Sequence, residues 1–149
     1  MTNWFECRVK YDKTLENGTQ KKVTEAYLVD AMTFTDAEAR IIEEMTPYIV
    51  GEFEVAAVKK EHIAEMFENP NGDRWYRAKV MFITLDEKSG AEKKTANNML
   101  IQASNFQEAV NVLTEGMKGT MSDWEINTLT ETALMDVFKL EVKTTSAEA

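Results

Sequence analysis

Trp4-Phe5-Glu6-Cys7-Arg8-Val9-Lys10-Tyr11, near the start of the chain, has a counterpart in Trp75-Tyr76-Arg77-Ala78-Lys79-Val80-Met81-Phe82. In both stretches apolar side chains occupy every second position, which is the pattern of a strand with one buried face. Both stretches also begin with Trp and carry basic residues on the other face. A match of this kind predicts that the chain contains two copies of one unit.

The correspondence continues over nearly the whole chain and needs two small gaps. Gly18 corresponds to Gly90, and each glycine is followed by a lysine pair. The other matching positions are Leu28 and Leu100, Ala31 and Ala103, Phe34 and Phe106, Ala37 and Ala109, Met45 and Met117, Phe53 and Trp124, and Phe67 and Phe138. We therefore predict repeats at residues 1–70 and 71–142, followed by a disordered tail at 143–149.

Each repeat presents the same order of secondary-structure signals. After the first strand, Glu16-Asn17-Gly18 predicts a hairpin turn, because Asn-Gly supplies the positive φ angles that such a turn needs. A second strand follows over Lys21 to Ala31. The capping box Thr35-Asp36-Ala37-Glu38 predicts the start of a helix. A third strand begins at Phe53, and a fourth covers Ile63 to Glu68, so that the unit is β-β-α-β-β.

This element order predicts an α+β fold, a tandem duplication in which each mainly antiparallel sheet has one covering helix. One helix covers one sheet face, and the other face is left for solvent, a partner or the second unit. The linker between the repeats, from Asn69 to Asp73, is short. We therefore expect the two units to pack as one compact body that shares one core.

Composition limits the classes of protein that the chain can represent. It has 149 residues, of which 44% are hydrophobic, and a formal net charge of −9 from 17 basic and 26 acidic residues. This length suits one domain or two very small ones. There is no apolar run of about 18 residues for a membrane span and no signal-peptide pattern at the start, which predicts a cytoplasmic protein.

Residues with catalytic potential are few. Cys7 is the one cysteine and His62 the one histidine, so the chain has no disulfide and no pattern for a metal site or a catalytic triad. Cys7 falls on the predicted core face, and the second repeat has Ala78 there. The glycines around Lys118 lack the spacing of a P-loop. We predict a non-enzymatic protein with no cofactor and no metal.

The most specific constellation lies on the outer faces of the first strands, where Trp side chains stand among cations. Single-stranded nucleic acid binds to such faces, since bases stack on rings and phosphates pair with Lys or Arg. The candidate residues are Trp4, Arg8, Lys10, Lys21, Lys22, Trp75, Arg77, Lys79, Lys93 and Lys94. Against this, Trp at a strand start often packs under a loop or between units, and lysines commonly protect strand edges.

Charge supplies the rival hypothesis. Residues 1–70 carry 8 basic and 14 acidic side chains and residues 71–149 carry 9 and 12, so an anionic ligand would prefer the second repeat. The overall negative charge repels phosphate. An acidic protein-protein adaptor, which could bind a host factor or mimic DNA, is therefore the alternative, and a purely structural role is a further one. Phosphate binding weakens steeply as salt rises and an apolar protein interface does not, so salt dependence separates nucleic-acid binding from the adaptor hypothesis.

Four segments of the sequence resemble a known family: Tyr27 to Ala31, Thr35 to Met45, Phe82 to Gly90 and Glu115 to Met121. On the basis of these segments the chain resembles the domain of unknown function 4494 family over residues 3 to about 139. The resemblance implies no activity, cofactor or catalytic residue. It implies a setting in Bacteroidetes and their tailed phages, where members in crAss-like phages accompany genome-replication functions, and this favours a replication-accessory role.

Overall fold

The computed structural model describes residues 3–139, so the tail predicted at 143–149 lies outside the described residues. The described part is an α+β fold of eight strands and two helices in two similar halves. In chain order the elements are β1 (Asn3–Thr14), β2 (Gln20–Ala31), α1 (Phe34–Met45), β3 (Phe53–Glu61), β4 (Glu65–Phe67), β5 (Arg74–Leu85), β6 (Glu92–Ala103), α2 (Phe106–Gly116), β7 (Asp123–Glu131) and β8 (Leu134–Phe138). Within residues 3–139 no helix has the length and apolarity to cross a membrane.

The two repeats build their hairpins alike. β1 pairs with β2 and β5 pairs with β6, both antiparallel over their full length. Gly18 and Gly90 sit in the connecting turns with φ of 83° and 72°, the left-handed region that the Asn-Gly signal predicted for the first turn. The third strand of each repeat pairs with the free side of the first strand. The register of this pairing shifts after Arg8 in β1 and after Lys79, the equivalent position, in β5.

The helix α1 begins two residues earlier than the predicted capping box. Thr33, rather than Thr35, is the N-cap of α1, and its hydroxyl accepts from the N–H of Asp36 at 3.1 Å. Asn105 caps α2 in the same way. The earlier start places Phe34 in the first turn of α1, where its ring meets Phe5 edge-on with centroids 4.9 Å apart. This aromatic contact offers a tertiary reason for the earlier helix start.

The chain forms two compact units whose membership does not follow the repeats. Among the described residues, unit 1 contains residues 3–61 and 135–139, and unit 2 contains residues 62–134. The strand orders are β3-β1-β2-β8 and β4-β6-β5-β7. Each fourth strand therefore belongs to the sheet that the other repeat builds, an exchange that the sequence pattern did not predict.

The short connection between β3 and β4 explains the exchange. In the sheet of its own repeat, β4 would lie beside β2, three strand spacings or about 14 Å across the sheet from β3. Its first residue would also lie about 10 Å from Glu61 along the strand direction, so that the direct distance is about 17 Å. The four steps from Glu61 to Glu65 span at most about 14 Å. β4 cannot reach its own sheet, and it pairs parallel to β6, with Phe67 opposite Ile101.

Each unit has its own hydrophobic core. In both, the inner faces of the first two strands and one stripe of the helix form the buried cluster. The buried helix residues are Ala37, Ile41 and Met45 in α1 and Ala109, Leu113 and Met117 in and just after α2. Burying an aliphatic side chain of this size contributes about 1.5–3 kcal/mol, so the helices are held mainly by this stripe.

Candidate functional site

The candidate nucleic-acid residues of β1 lie on the sheet face that is turned away from α1. Trp4 is half-buried there, and Arg8 is exposed. The Nε of Arg8 donates to a Glu6 carboxylate oxygen at 3.4 Å, and Lys10 lies opposite Glu54 on β3. Each of these two cations has a carboxylate beside it, which lowers the local positive potential that a phosphate would meet.

The lysine pair at the start of β2 is divided between the two faces of the sheet. Lys22 lies opposite Asp12, on the face that carries Lys10, whereas Lys21 lies opposite Lys13 on the other face. Alternation along a strand makes this unavoidable, since neighbouring side chains point to opposite faces. Lys21 is therefore not part of the surface that contains Trp4.

Trp75, the candidate stacking residue of the second repeat, is buried. Its exposed fraction is 6%, so its ring presents no surface for a base. This corrects the expectation of an aromatic platform on unit 2. Lys79 is exposed and lies between Thr128 and Asn98 on the neighbouring strands, and Arg77 beside it is half-buried.

The second lysine pair repeats the arrangement of the first. Lys94 lies on the same face as Lys79, and its Nζ is 3.0 Å from a carboxylate oxygen of Glu125. This hydrogen bond and charge raise the pKa of Lys94. Lys93 points to the opposite face by alternation. The ten candidate residues therefore do not form one continuous cationic surface in either unit.

Apolar side chains occupy the middle of both faces that the helices leave uncovered. Leu28 and Leu100 are fully buried, yet neither belongs to the core cluster of its unit. Ala26, next to Leu28 on the same face, is also buried. The sequence carried a signal for this, since both repeats place Leu at the equivalent position of a strand face whose other residues are polar or Ala.

The side chains with catalytic potential lie apart from one another. Cys7 is fully buried on the core face, as predicted, and burial together with the charge of Glu6 raises the pKa of its thiol to about 12. His62 is exposed. Unit 1 has a shallow polar hollow of about 260 Å³, lined by Lys10, Tyr11, Asp12, Lys22, Glu52, Phe53 and Glu54. In that hollow the acidic and basic side chains alternate across the strands and offset one another.

A larger groove lies in unit 2 between the short strand β4 and the helix α2. Its volume is about 600 Å³, and we call it the α2-β4 groove; its lining residues are Met66, Phe67, Glu68, Asn69, Asn111, Val112, Glu115 and Gly116. Gly116 has a packing reason, because a Cβ at this position would run into the ring of Phe67. The ring can therefore pack directly against the last turn of the helix.

Unit 1 has larger, charged side chains at the equivalent helix positions. Arg40 and Glu44 of α1 stand where α2 has Val112 and Gly116. The Nε of Arg40 is 3.0 Å from a Glu44 carboxylate oxygen, and its Nη2 donates to the carbonyl of Lys139 at 2.6 Å. This pair joins α1 to the chain just after β8. Two differences between otherwise similar helices thus decide which unit has an open groove.

The sequence patterns alone did not predict this groove. Its signal was a local break in the repeat match, an Arg and a Glu in one helix against a Val and a Gly in the other. Nothing in the sequence shows that the break falls beside an edge strand, because the fourth strands are exchanged between the units.

Comparison with known proteins gives a family and no activity. No curated protein matches the chain. A family model, described as a domain of unknown function, matches residues 3–140, which covers both units almost completely. With this match over most of its length, the chain belongs to the DUF4494 family.

Proposed function

We propose that this protein is a non-catalytic binding module that holds a basic segment of a partner protein in the α2-β4 groove of unit 2. The observation that carries the proposal is the contrast between the two units. Arg40 and Glu44 bond to each other in unit 1, and Arg40 also bonds to the chain after β8, whereas Val112 and Gly116 line an open groove in unit 2. A duplicated scaffold with one open and one closed copy is suited to one binding event.

Charge favours a basic partner. The groove lining contains two carboxylates, Glu68 and Glu115, and no Lys, Arg or His. Glu115 forms an exposed ion pair with Lys118 at 2.7 Å, and exposed pairs of this kind exchange partners at little cost. The whole chain has a net charge of −9, which also attracts a basic segment. Phe67, Met66 and Val112 offer apolar contact between these charges.

The nucleic-acid hypothesis has less support than protein binding. Trp75 is buried, and Arg8 and Lys94 each lie against a carboxylate. Lys79, between Thr128 and Asn98, is the feature of unit 2 that still favours an anionic ligand. Single-stranded DNA and RNA are therefore the comparison ligands in the test of the proposal.

The proposed setting follows the resemblance given above. We propose that the chain acts in the cytoplasm of a Bacteroidetes cell, as a host protein or as a phage protein that accompanies replication. The buried, reduced thiol of Cys7 is compatible with a reducing compartment. An adaptor that grips a basic segment of a replication protein would fit that setting.

The proposal is tested with a displayed library of random peptides of about twelve residues. The library is selected on the wild-type protein, and binding of the enriched peptides is measured by fluorescence anisotropy. Two variants are compared, Val112→Arg, which copies unit 1, and Thr114→Arg, which places the same side chain on an exposed position of α2 outside the groove. Labelled single-stranded DNA and RNA are titrated in parallel at low and physiological salt.

We expect peptides rich in Lys or Arg that bind wild type and Thr114→Arg alike and Val112→Arg about tenfold more weakly or worse, since a filled pocket removes the central contacts. An empty selection would contradict the proposal, as would enriched peptides that bind Val112→Arg as well as wild type. Salt-sensitive binding of nucleic acid without groove-dependent peptide binding would favour the rival hypothesis.

A further inference from the structure

β4 is an edge strand that uses one of its two sides. It contains three residues, Glu65–Phe67, and among the strands of residues 3–139 it pairs only with β6, at the end of the unit 2 sheet. Edge strands present backbone N–H and C=O groups on which another extended chain can add. The α2-β4 groove opens between this strand and the helix.

The hydrogen-bonding pattern of unit 2 identifies the backbone groups on the outer side of β4. The N–H of Asp86 donates to the carbonyl of Ala91 at the end of the β5-β6 hairpin. Because backbone groups alternate along a strand, the even-numbered residues of β6 turn theirs toward β4. The bond from the Ala64 N–H to the Asn98 carbonyl, 2.8 Å, agrees with this alternation.

Met66 is the residue of β4 that faces outward. It lies opposite Leu100, whose backbone groups point to β4 by the alternation just described. In a parallel ladder, a residue whose backbone groups point to the neighbouring strand bonds to the two residues that flank its partner. Leu100 therefore bonds to Glu65 and Phe67, and the backbone groups of Met66 point away from β6. The N–H and C=O of Met66 are therefore directed to the outer side of the strand, beside the groove.

In unit 1, the helix residue equivalent to Val112 donates a hydrogen bond to the chain beside it. There the guanidinium of Arg40 reaches from the helix to the chain after the edge strand and donates to the Lys139 carbonyl at 2.6 Å. One backbone carbonyl just after that edge strand is thus bonded from within the same unit. Val112, at the equivalent position of α2, has no donor to offer.

We infer that the partner segment binds in extended form and adds to β4 as a fifth strand, hydrogen-bonding to the N–H and C=O of Met66 while alternate side chains enter the α2-β4 groove. This inference rests on the proposed function and specifies its mode. A strand addition takes its affinity from backbone bonds and its selectivity from pockets for every second side chain. The apolar wall of Phe67 and Val112 suits one aliphatic side chain, and Glu68 and Glu115 suit cations on either side of it.

Met66→Pro removes the outward N–H without removing a hydrogen bond to β6. Proline is tolerated on an edge strand where its nitrogen faces away from the sheet. The matched control is Met66→Ala, which loses the same side chain but keeps the N–H. Urea unfolding of both variants checks that unit 2 remains folded.

The probe is the tightest groove-dependent peptide from the selection above, made as a series in which one backbone nitrogen at a time is methylated. We expect Met66→Pro to bind the unmodified peptide about tenfold more weakly than Met66→Ala, the loss of one well-placed hydrogen bond. Within the series, we expect losses at alternate positions, because successive N–H groups of a strand point to opposite sides.

The outcomes separate the mode from the function. Equal binding by Met66→Pro and Met66→Ala, or methylation losses without alternation, would overturn strand addition while Val112→Arg still reports binding in the groove. If no peptide depends on Val112, the proposed function and the strand addition fail together. Should Met66→Pro unfold unit 2, the methylated series decides alone, since it changes the peptide and leaves the protein intact.

Discussion

Replacing Trp75 by Ala tests whether this side chain is a packing residue or a ligand platform. Trp75 is 6% exposed at the start of β5. A buried Trp removes about 200 Å² of surface from water, which at about 25 cal/mol per Å² corresponds to about 5 kcal/mol. Substitutions of buried Trp by Ala cost about 3–5 kcal/mol. We expect a loss of this size in the free energy of unfolding.

The assay is urea unfolding followed by circular dichroism and by the fluorescence of the remaining tryptophans, Trp4 in unit 1 and Trp124 in unit 2. With a slope of about 2 kcal/mol per molar urea, the midpoint should fall by about 2 M. Trp4→Ala is the comparison, and because Trp4 is half-buried we expect about half the loss. An unchanged midpoint in Trp75→Ala, with lost binding of single-stranded DNA, would refute the packing role and restore the platform.

Three further predictions concern stability and titration. Gly72→Ala should lower the free energy of unfolding of unit 2 by about 1–3 kcal/mol or more, because a Cβ there would lie 2.5 Å from the Cα of Ala103, in backbone that cannot move aside. Urea unfolding measures this, and an unchanged midpoint would show that the backbone yields. The thiol of Cys7, with its pKa raised to about 12, should react with a disulfide reagent at pH 8 at the rate at which the protein unfolds, and immediate reaction would contradict its burial. Burial and the hydrogen bond to Glu25 raise the pKa of Tyr11 to about 12 from 10.0, so the stability that this bond provides should persist below pH 10 and decline as the pH rises toward 12. Tyrosinate absorbance and thermal unfolding against pH check this, and Glu25→Gln should lower the midpoint of the Tyr11 titration.

The local pattern of the chain determined its strands, their faces and the duplication. Alternation in the first strand placed Phe5, Cys7 and Val9 on the buried face, where the structure has them. Helical spacing predicted an apolar stripe of Ala37, Ile41, Ile42 and Met45 on α1, and all of these except Ile42, which is 42% exposed, are buried. These predictions succeeded because they depend on the periods of 2 and 3.6 residues, which the backbone imposes within a single element.

Predictions that needed partners distant in sequence fared less well. The grouping of Lys21 with Lys22 was wrong for a local reason, since a strand turns adjacent side chains to opposite faces. Trp75 was placed on an open face because its polar neighbours Arg77 and Lys79 alternate with the core residues, and alternation gives the face of a residue but not what covers it.

Sequence alone thus determined the repeated unit, the alternation of its strands and the apolar stripe of its helices, since each is a property of consecutive residues. Tertiary structure alone decided that the fourth strands are exchanged, because the three-residue connection after Glu61 cannot span a sheet. It also decided that unit 2 has a groove. The change from Arg40 and Glu44 to Val112 and Gly116 leaves open space only because an edge strand lies beside the helix in each unit.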